Sequence, residues 1–145
     1  MELITDLNDI TTPYQNAVVT IGNFDGVHKG HQAILHQVIE KAEAINGTSV
    51  AITFEPHPLK VLSDEGAPPL ITLYEQKVEL IEQTGIDVLI CTPFTQSFAA
   101  LSAESFIEDI LIHKIGMKAI IIGKDYKFGK DRRGSVDFLR EYAKA

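Results

Sequence analysis

The chain has 145 residues, 45% of them hydrophobic, with a single cysteine and a formal net charge of −7 at pH 7. That length suffices for one domain burying well over half of its unfolded surface, and the negative charge argues against a general binder of nucleic acid or anionic membrane, which needs a broad basic field. No apolar stretch approaches the ~20 residues of a membrane span, and Met1–Asp9 is acidic where a signal peptide is basic, so a cytoplasmic protein with a small-molecule partner is expected.

Four short runs rich in valine and isoleucine mark strands: Ala17–Ile21, Ser49–Phe54, Asp87–Thr92 and Lys118–Ile122. Each is nearly continuous in apolar residues, the pattern of strands buried on both faces. Cys91 sits inside the third run, where a buried reduced thiol is expected rather than a disulfide or a nucleophile.

Helical spacing fills the gaps between these runs. In Gly30–Ile45 the residues Ile34, Leu35, Val38, Ile39, Ala42 and Ile45 share a face, and Gly47 follows as a stop. Thr72 and Glu75 have the spacing of a capping box, opening a helix through Val78, Leu80 and Ile81 that ends near Gly85. Ser102 caps a third helix with Phe106, Ile107, Ile110, Leu111 and Ile115 on its apolar face and Gly116 at its end. A last helix is expected near Ser135. The irregular segment Glu55–Leu70 carries Pro56, Pro58, Pro68 and Pro69, and a loop of that length is usually functional or disordered.

Strand and helix alternate throughout, which predicts the α/β class: a Rossmann-like open parallel sheet flanked by helices. Ligands of such sheets lie at the carboxyl ends of the strands, so a binding residue should follow a strand directly. One segment meets that test with chemistry to spare. The first strand runs into Gly22-Asn23-Phe24-Asp25-Gly26-Val27-His28-Lys29-Gly30-His31, where the first helix begins. Glycines permit close approach of a ligand to the backbone, and the free amides and positive dipole end of a helix start favour phosphate. His28 and His31, three apart, can face one side of that start and donate hydrogen bonds to phosphoryl oxygens. The spacing fits neither the G-x-G-x-x-G dinucleotide loop nor the lysine-bearing P-loop. Asp25 suits a turn-bracing carboxylate as well as a nucleotide contact, and Phe24 and Phe54, beside buried strands, fit core packing.

Gly22–His31 resembles the G-x-F-D-x-x-H-x-G-H signature of the nucleotidyltransferase superfamily, and in its FDG form it is similar to the adenylyltransferase domain of FAD synthetases, the bacterial bifunctional riboflavin kinase/FMN adenylyltransferases. Thr53-Phe54-Glu55-Pro56-His57-Pro58 resembles the family's T-F-x-P-H-P stretch, and Gly123-Lys124-Asp125-Tyr126-Lys127-Phe128-Gly129 its G-x-D-F-x-F-G stretch. The resemblance implies transfer of AMP from ATP to the phosphate of FMN, with Mg²⁺ accompanying ATP, FAD and pyrophosphate as products and no covalent enzyme intermediate. It implies that His28 and His31 are catalytic and that Gly22, Asn23, Phe24, Asp25, His28, Gly30 and His31 bind ATP. Pro56, His57, Pro58, Asp125, Tyr126 and Phe128 would border the flavin, and no protein metal ligand is implied. The stretch Lys124–Gly134 holds five bases against two acids, leaving eight bases and eighteen acids elsewhere, a local field suited to phosphates.

The family also carries an S-S-T-x-I-R segment after its final strand that nothing in this chain matches, and its members continue into a riboflavin kinase domain. Residues 1–145 are therefore expected to form the adenylyltransferase domain without its C-terminal portion. Two alternatives remain open at this level: a sibling nucleotidyltransferase acting on another phosphate acceptor, and a non-catalytic nucleotide- or flavin-binding module.

Overall fold

The computed structural model describes residues 1–22, 24, 29–54, 74–92, 98 and 100–123. Five strands, β1 Glu2–Ile4, β2 Ala17–Ile21, β3 Ser49–Phe54, β4 Val88–Thr92 and β5 Met117–Ile120, form one sheet in the order β1-β4-β3-β2-β5. Every pairing is parallel. β2, β3 and β4 are buried at every residue, as their unbroken apolar runs require, whereas β5 is half-exposed because it pairs with β2 on one side only among the described residues.

Side chains alternate across the sheet and so divide into two cores. Val19, Ile21, Val50, Ile52, Phe54 and Ile90 pack on one face with Phe106, Ile107, Leu111 and Ile115. Those last four belong to α3, whose first turn Ala103–Ser105 continues as a wide, π-wound helix over Phe106–Ile115. Val18, Ala51, Leu89 and Cys91 pack on the other face with Leu35, Val38 and Ala42 of α1, Lys29–Ala44, and with Ile81 of α2, Tyr74–Glu82. The chain thus winds β2-α1-β3-α2-β4 along one face, then returns under the other through α3 to place β5 beside β2.

The helix ends follow their sequence signals. Ser102 accepts a hydrogen bond from the Ser105 amide at 3.1 Å, and Gly116 closes α3 in the left-handed region at φ 86° with its N–H on the Ile112 carbonyl. At the end of α1 the roles differ from expectation. Asn46 takes the left-handed turn at φ 54°, while the Gly47 N–H reaches back to the Ala42 carbonyl at 2.7 Å. Gly47 is needed for a different reason: a Cβ there would run into the carbonyl oxygen of Asn16. Thr72, Glu55–Leu70 and the helix expected near Ser135 lie outside the described residues, as does the Glu75 side chain.

The strand that sequence reading missed is β1, three residues with a half-exposed pattern and no run long enough to show a period. It joins the edge of β4, with Glu2 N–H donating to the Asp87 carbonyl. Asp87 itself precedes β4 and clamps the strand starts. Its carboxylate accepts from the Ser49 amide at 3.0 Å, and its amide donates to the Ser49 hydroxyl at 2.8 Å.

Candidate functional site

The strand order sets where a ligand can sit. β2 is flanked by β3, reached from it through α1 over one face, and by β5, reached from β4 through α3 over the other face. This is the topological switch point of an open parallel sheet, whose crevice opens at the carboxyl ends of β2 and β5. All three sequence motifs begin there. Gly22 follows β2, and its N–H bonds the Ile52 carbonyl of β3 at 3.0 Å, one residue before Thr53 opens the second motif. On the other side Ile121 N–H bonds the Val19 carbonyl at 2.9 Å and carries the chain to Gly123. A Cβ on Gly123 would lie 3.8 Å from the Ile34 side chain, so the third motif leaves the sheet against the second turn of α1.

Within the first motif, Phe24 brings Gly22 and His31 together. Phe24 adopts φ 54°, a left-handed conformation rare for a bulky residue. That turn folds its ring back into the core, where it is only 2% exposed and packs with the cluster under α1. The ring occupies the space above Gly22, where a Cβ would lie 3.1 Å from it. A side chain at position 22 would force the ring or the backbone to give by a few tenths of an ångström. The same ring meets His31 in a T-shaped contact, with 5.3 Å between centroids and 79° between planes. Phe24 therefore reaches the site through the imidazole it supports, not as an open contact surface. The His31 ring is half-buried, and its Nδ1 is inaccessible to solvent.

The electrostatics of the helix start match an anion. The first turn of α1 contains no acidic residue, although carboxylates are the favoured partners of that positive end. α3, by contrast, carries Glu104, Glu108 and Asp109 in its opening turns. Lys29 and Gly30 are exposed at the start of α1. Among the described residues no three His, Cys, Asp or Glu side chains cluster as a metal site. Asn23, Asp25, His28, Pro56, His57, Pro58, Asp125, Tyr126 and Phe128 lie outside the described residues.

Sequence reading passed over Lys77. It is 5% exposed, and its Nζ lies 3.3 Å from Thr53 Oγ1 at the carboxyl end of β3. Spacing carried the signal: Lys77 stands four residues before Ile81, which is fully buried on the sheet-facing side of α2.

The family model described as FAD synthetase matches residues 10–145. The bifunctional riboflavin kinase/FMN adenylyltransferase of Buchnera aphidicola subsp. Schizaphis graminum is 41% identical over 141 residues, covering 97% of this chain and 45% of the relative. Its counterpart from Escherichia coli K12 is 37% identical over 140 residues, with 96% and 44% covered. The chain thus spans about half the length of the curated relatives it matches. A crystal structure from Streptococcus pneumoniae, described as that of a macrolide-efflux protein, has the same fold at a TM-score of 0.80 and 29% identity, over 97% of this chain and 46% of that one. No helix among the described residues is long and apolar enough to cross a membrane. With a family model matched over residues 10–145 and relatives 37–41% identical over 96–97% of its length, the chain belongs to the FAD synthetase family.

Proposed function

We propose that this chain catalyses the adenylyl-transfer half of FAD formation, moving AMP from ATP to the phosphate of FMN. The observation that carries the proposal is the acid-free start of α1, with His31 braced on Phe24, at the carboxyl ends of β2 and β5. An FMN phosphate oxygen attacks the α-phosphorus of ATP, the bond from that phosphorus to the bridging β-phosphate oxygen breaks, and pyrophosphate leaves. The nucleophile is already anionic at neutral pH and needs no strong base, so the chain's task is alignment and stabilisation of charge on the triphosphate.

In this reading the amides of Gly30 and its neighbours and the imidazoles of His28 and His31 hold the phosphates. With His31 Nδ1 buried, Nε2 is the atom that would reach the ligand. Gly22, Asn23, Phe24 and Asp25 shape the turn that presents those groups. Pro56, His57, Pro58, Asp125, Tyr126 and Phe128, on the segments that follow β3 and β5, would border the isoalloxazine. Mg²⁺ would arrive with ATP and neutralise phosphate charge. In a longer parent chain, a riboflavin kinase domain would supply FMN.

The reading is tested by incubating the chain with ATP, Mg²⁺ and FMN and following FAD and pyrophosphate by chromatography. FAD and pyrophosphate in equal amounts support it. Binding of ATP without FMN, together with transfer to a different phosphate acceptor, would replace it with a sibling transferase.

A further inference from the structure

α1 and α3 distribute their charges in opposite ways. α3 follows the helix dipole, with Glu104, Glu108 and Asp109 in its opening turns and His113 and Lys114 in its last. α1 inverts it. Lys29 is its first residue, no acid stands in its first turn, and its carboxylates, Glu40 and Glu43, lie towards the far end with Lys41 between them. A cation at the positive end of a helix and carboxylates near the negative end both work against the helix. Lys29 is exposed, and among the described residues no carboxylate pairs with it.

A local rule broken without compensation inside the fold points to a partner outside it. A chain of net charge −7 repels a polyanion at long range, so a ligand of that kind needs a local cation where it enters. Lys29 stands next to Gly30 and two residues before His31, where the turn after β2 enters α1. We propose that Lys29 binds the β- and γ-phosphates of ATP and keeps hold of them as pyrophosphate leaves. This inference rests on the phosphate reading given above and extends it to a position that the histidine motif leaves open. The α-phosphate must stay accessible to FMN, so an exposed cation takes the far end of the triphosphate. A lysine suits that end, because its flexible stem carries a point charge that can follow the phosphates as the bond breaks.

The experiment titrates ATP calorimetrically into the full chain and into Lys29→Gln and Lys29→Arg, at low and high salt, with a melt of each protein without ligand. An exposed ion pair predicts ATP affinity about threefold weaker in Lys29→Gln at ~50 mM salt, with the difference vanishing at ~0.5 M as charges are screened. Lys29→Arg keeps the charge and should match the parent. The ligand-free melt should move the other way: Lys29→Gln relieves the dipole clash and should raise Tm by about 1–3 °C. Weaker ATP binding in a more stable protein is a pairing that a merely structural lysine would not give. The inference is overturned by unchanged ATP affinity at low salt, by a loss that persists at high salt, or by a Lys29→Gln chain that melts earlier or fails to fold. A parent chain that does not bind ATP overturns the phosphate reading and this inference with it.

Discussion

The ring of Phe24 meets the imidazole of His31 edge to face, 5.3 Å between centroids, and a left-handed backbone at Phe24 makes the meeting possible. Such a conformation costs of order 1–3 kcal/mol for a residue with a side chain, and it persists because the buried ring and the histidine it braces over-determine it. Replacing Phe24 with leucine keeps apolar bulk but removes the flat support. The expected stability loss is about 1 kcal/mol, whereas adenylyl transfer should fall about 10- to 100-fold as His31 loses its fixed orientation. A melt combined with steady-state rates separates the two effects. Equal turnover in Phe24→Leu would mean that His31 is held by something else.

Gly22 faces the same ring from the other side. A methyl at that position would lie 3.1 Å from the Phe24 ring, tight enough that the ring or the backbone must give by a few tenths of an ångström. Gly22→Ala should destabilise the fold by about 1–3 kcal/mol through overpacking, with weaker ATP binding. Pairing it with Phe24→Leu, which vacates some of that space, should recover part of the stability. Strict additivity of the two changes would contradict the contact.

Away from the site, Tyr14 ties the β1 edge to the loop before β2 by donating its hydroxyl proton to Glu2 at 2.8 Å. Burial first, then the Glu2 hydrogen bond and its negative charge, push the Tyr14 phenol from 10.0 up to about 12. The folded chain therefore keeps this proton where the unfolded chain has lost it. Its contribution to stability is complete below about pH 10 and is lost as pH rises through about 12. Absorbance titration of the parent against Tyr14→Phe should show Tyr14 titrating late, and Glu2→Gln should bring it earlier without returning it fully, because burial remains. A Tyr14 midpoint unaffected by Glu2→Gln would show that the carboxylate plays no part.

Ser102 offers a control on the face of the sheet opposite α1. Its hydroxyl caps α3, and Ser102→Ala should cost about 1 kcal/mol, or roughly 3 °C in Tm. ATP affinity at 25 °C should not change. A substantial loss of ATP binding in this variant would couple the two faces in a way that their separate cores do not explain.

The parts of the fold legible in the sequence are those where one physical cause dominates. The unbroken valine and isoleucine runs of β2 and β3 read directly as fully buried strands, and Ser102 and Gly116 as the ends of α3, because burial and capping act locally. β1 escaped because Glu2–Ile4 is too short for periodicity, and its pairing with β4 is a long-range event. At the end of α1, Gly47 read as the helix stop. Its close neighbour Asn16 is invisible from sequence, and Asn46 makes the turn instead. In the site, the glycine and histidine spacing pointed to phosphate, but the brace of Phe24 on His31 and the Lys77 to Thr53 bond depend on tertiary placement.

The central claim is that ATP phosphates lie against the turn and helix start at Gly22–His31. Calorimetric titration of ATP into the parent chain and into the variant carrying His28→Ala and His31→Ala, with a thermal melt of each, tests it most directly. Removal of charge-assisted contacts to phosphate predicts affinity at least about tenfold weaker in the double variant, with its melt close to the parent's. Identical ATP affinity in the two folded proteins would contradict the claim.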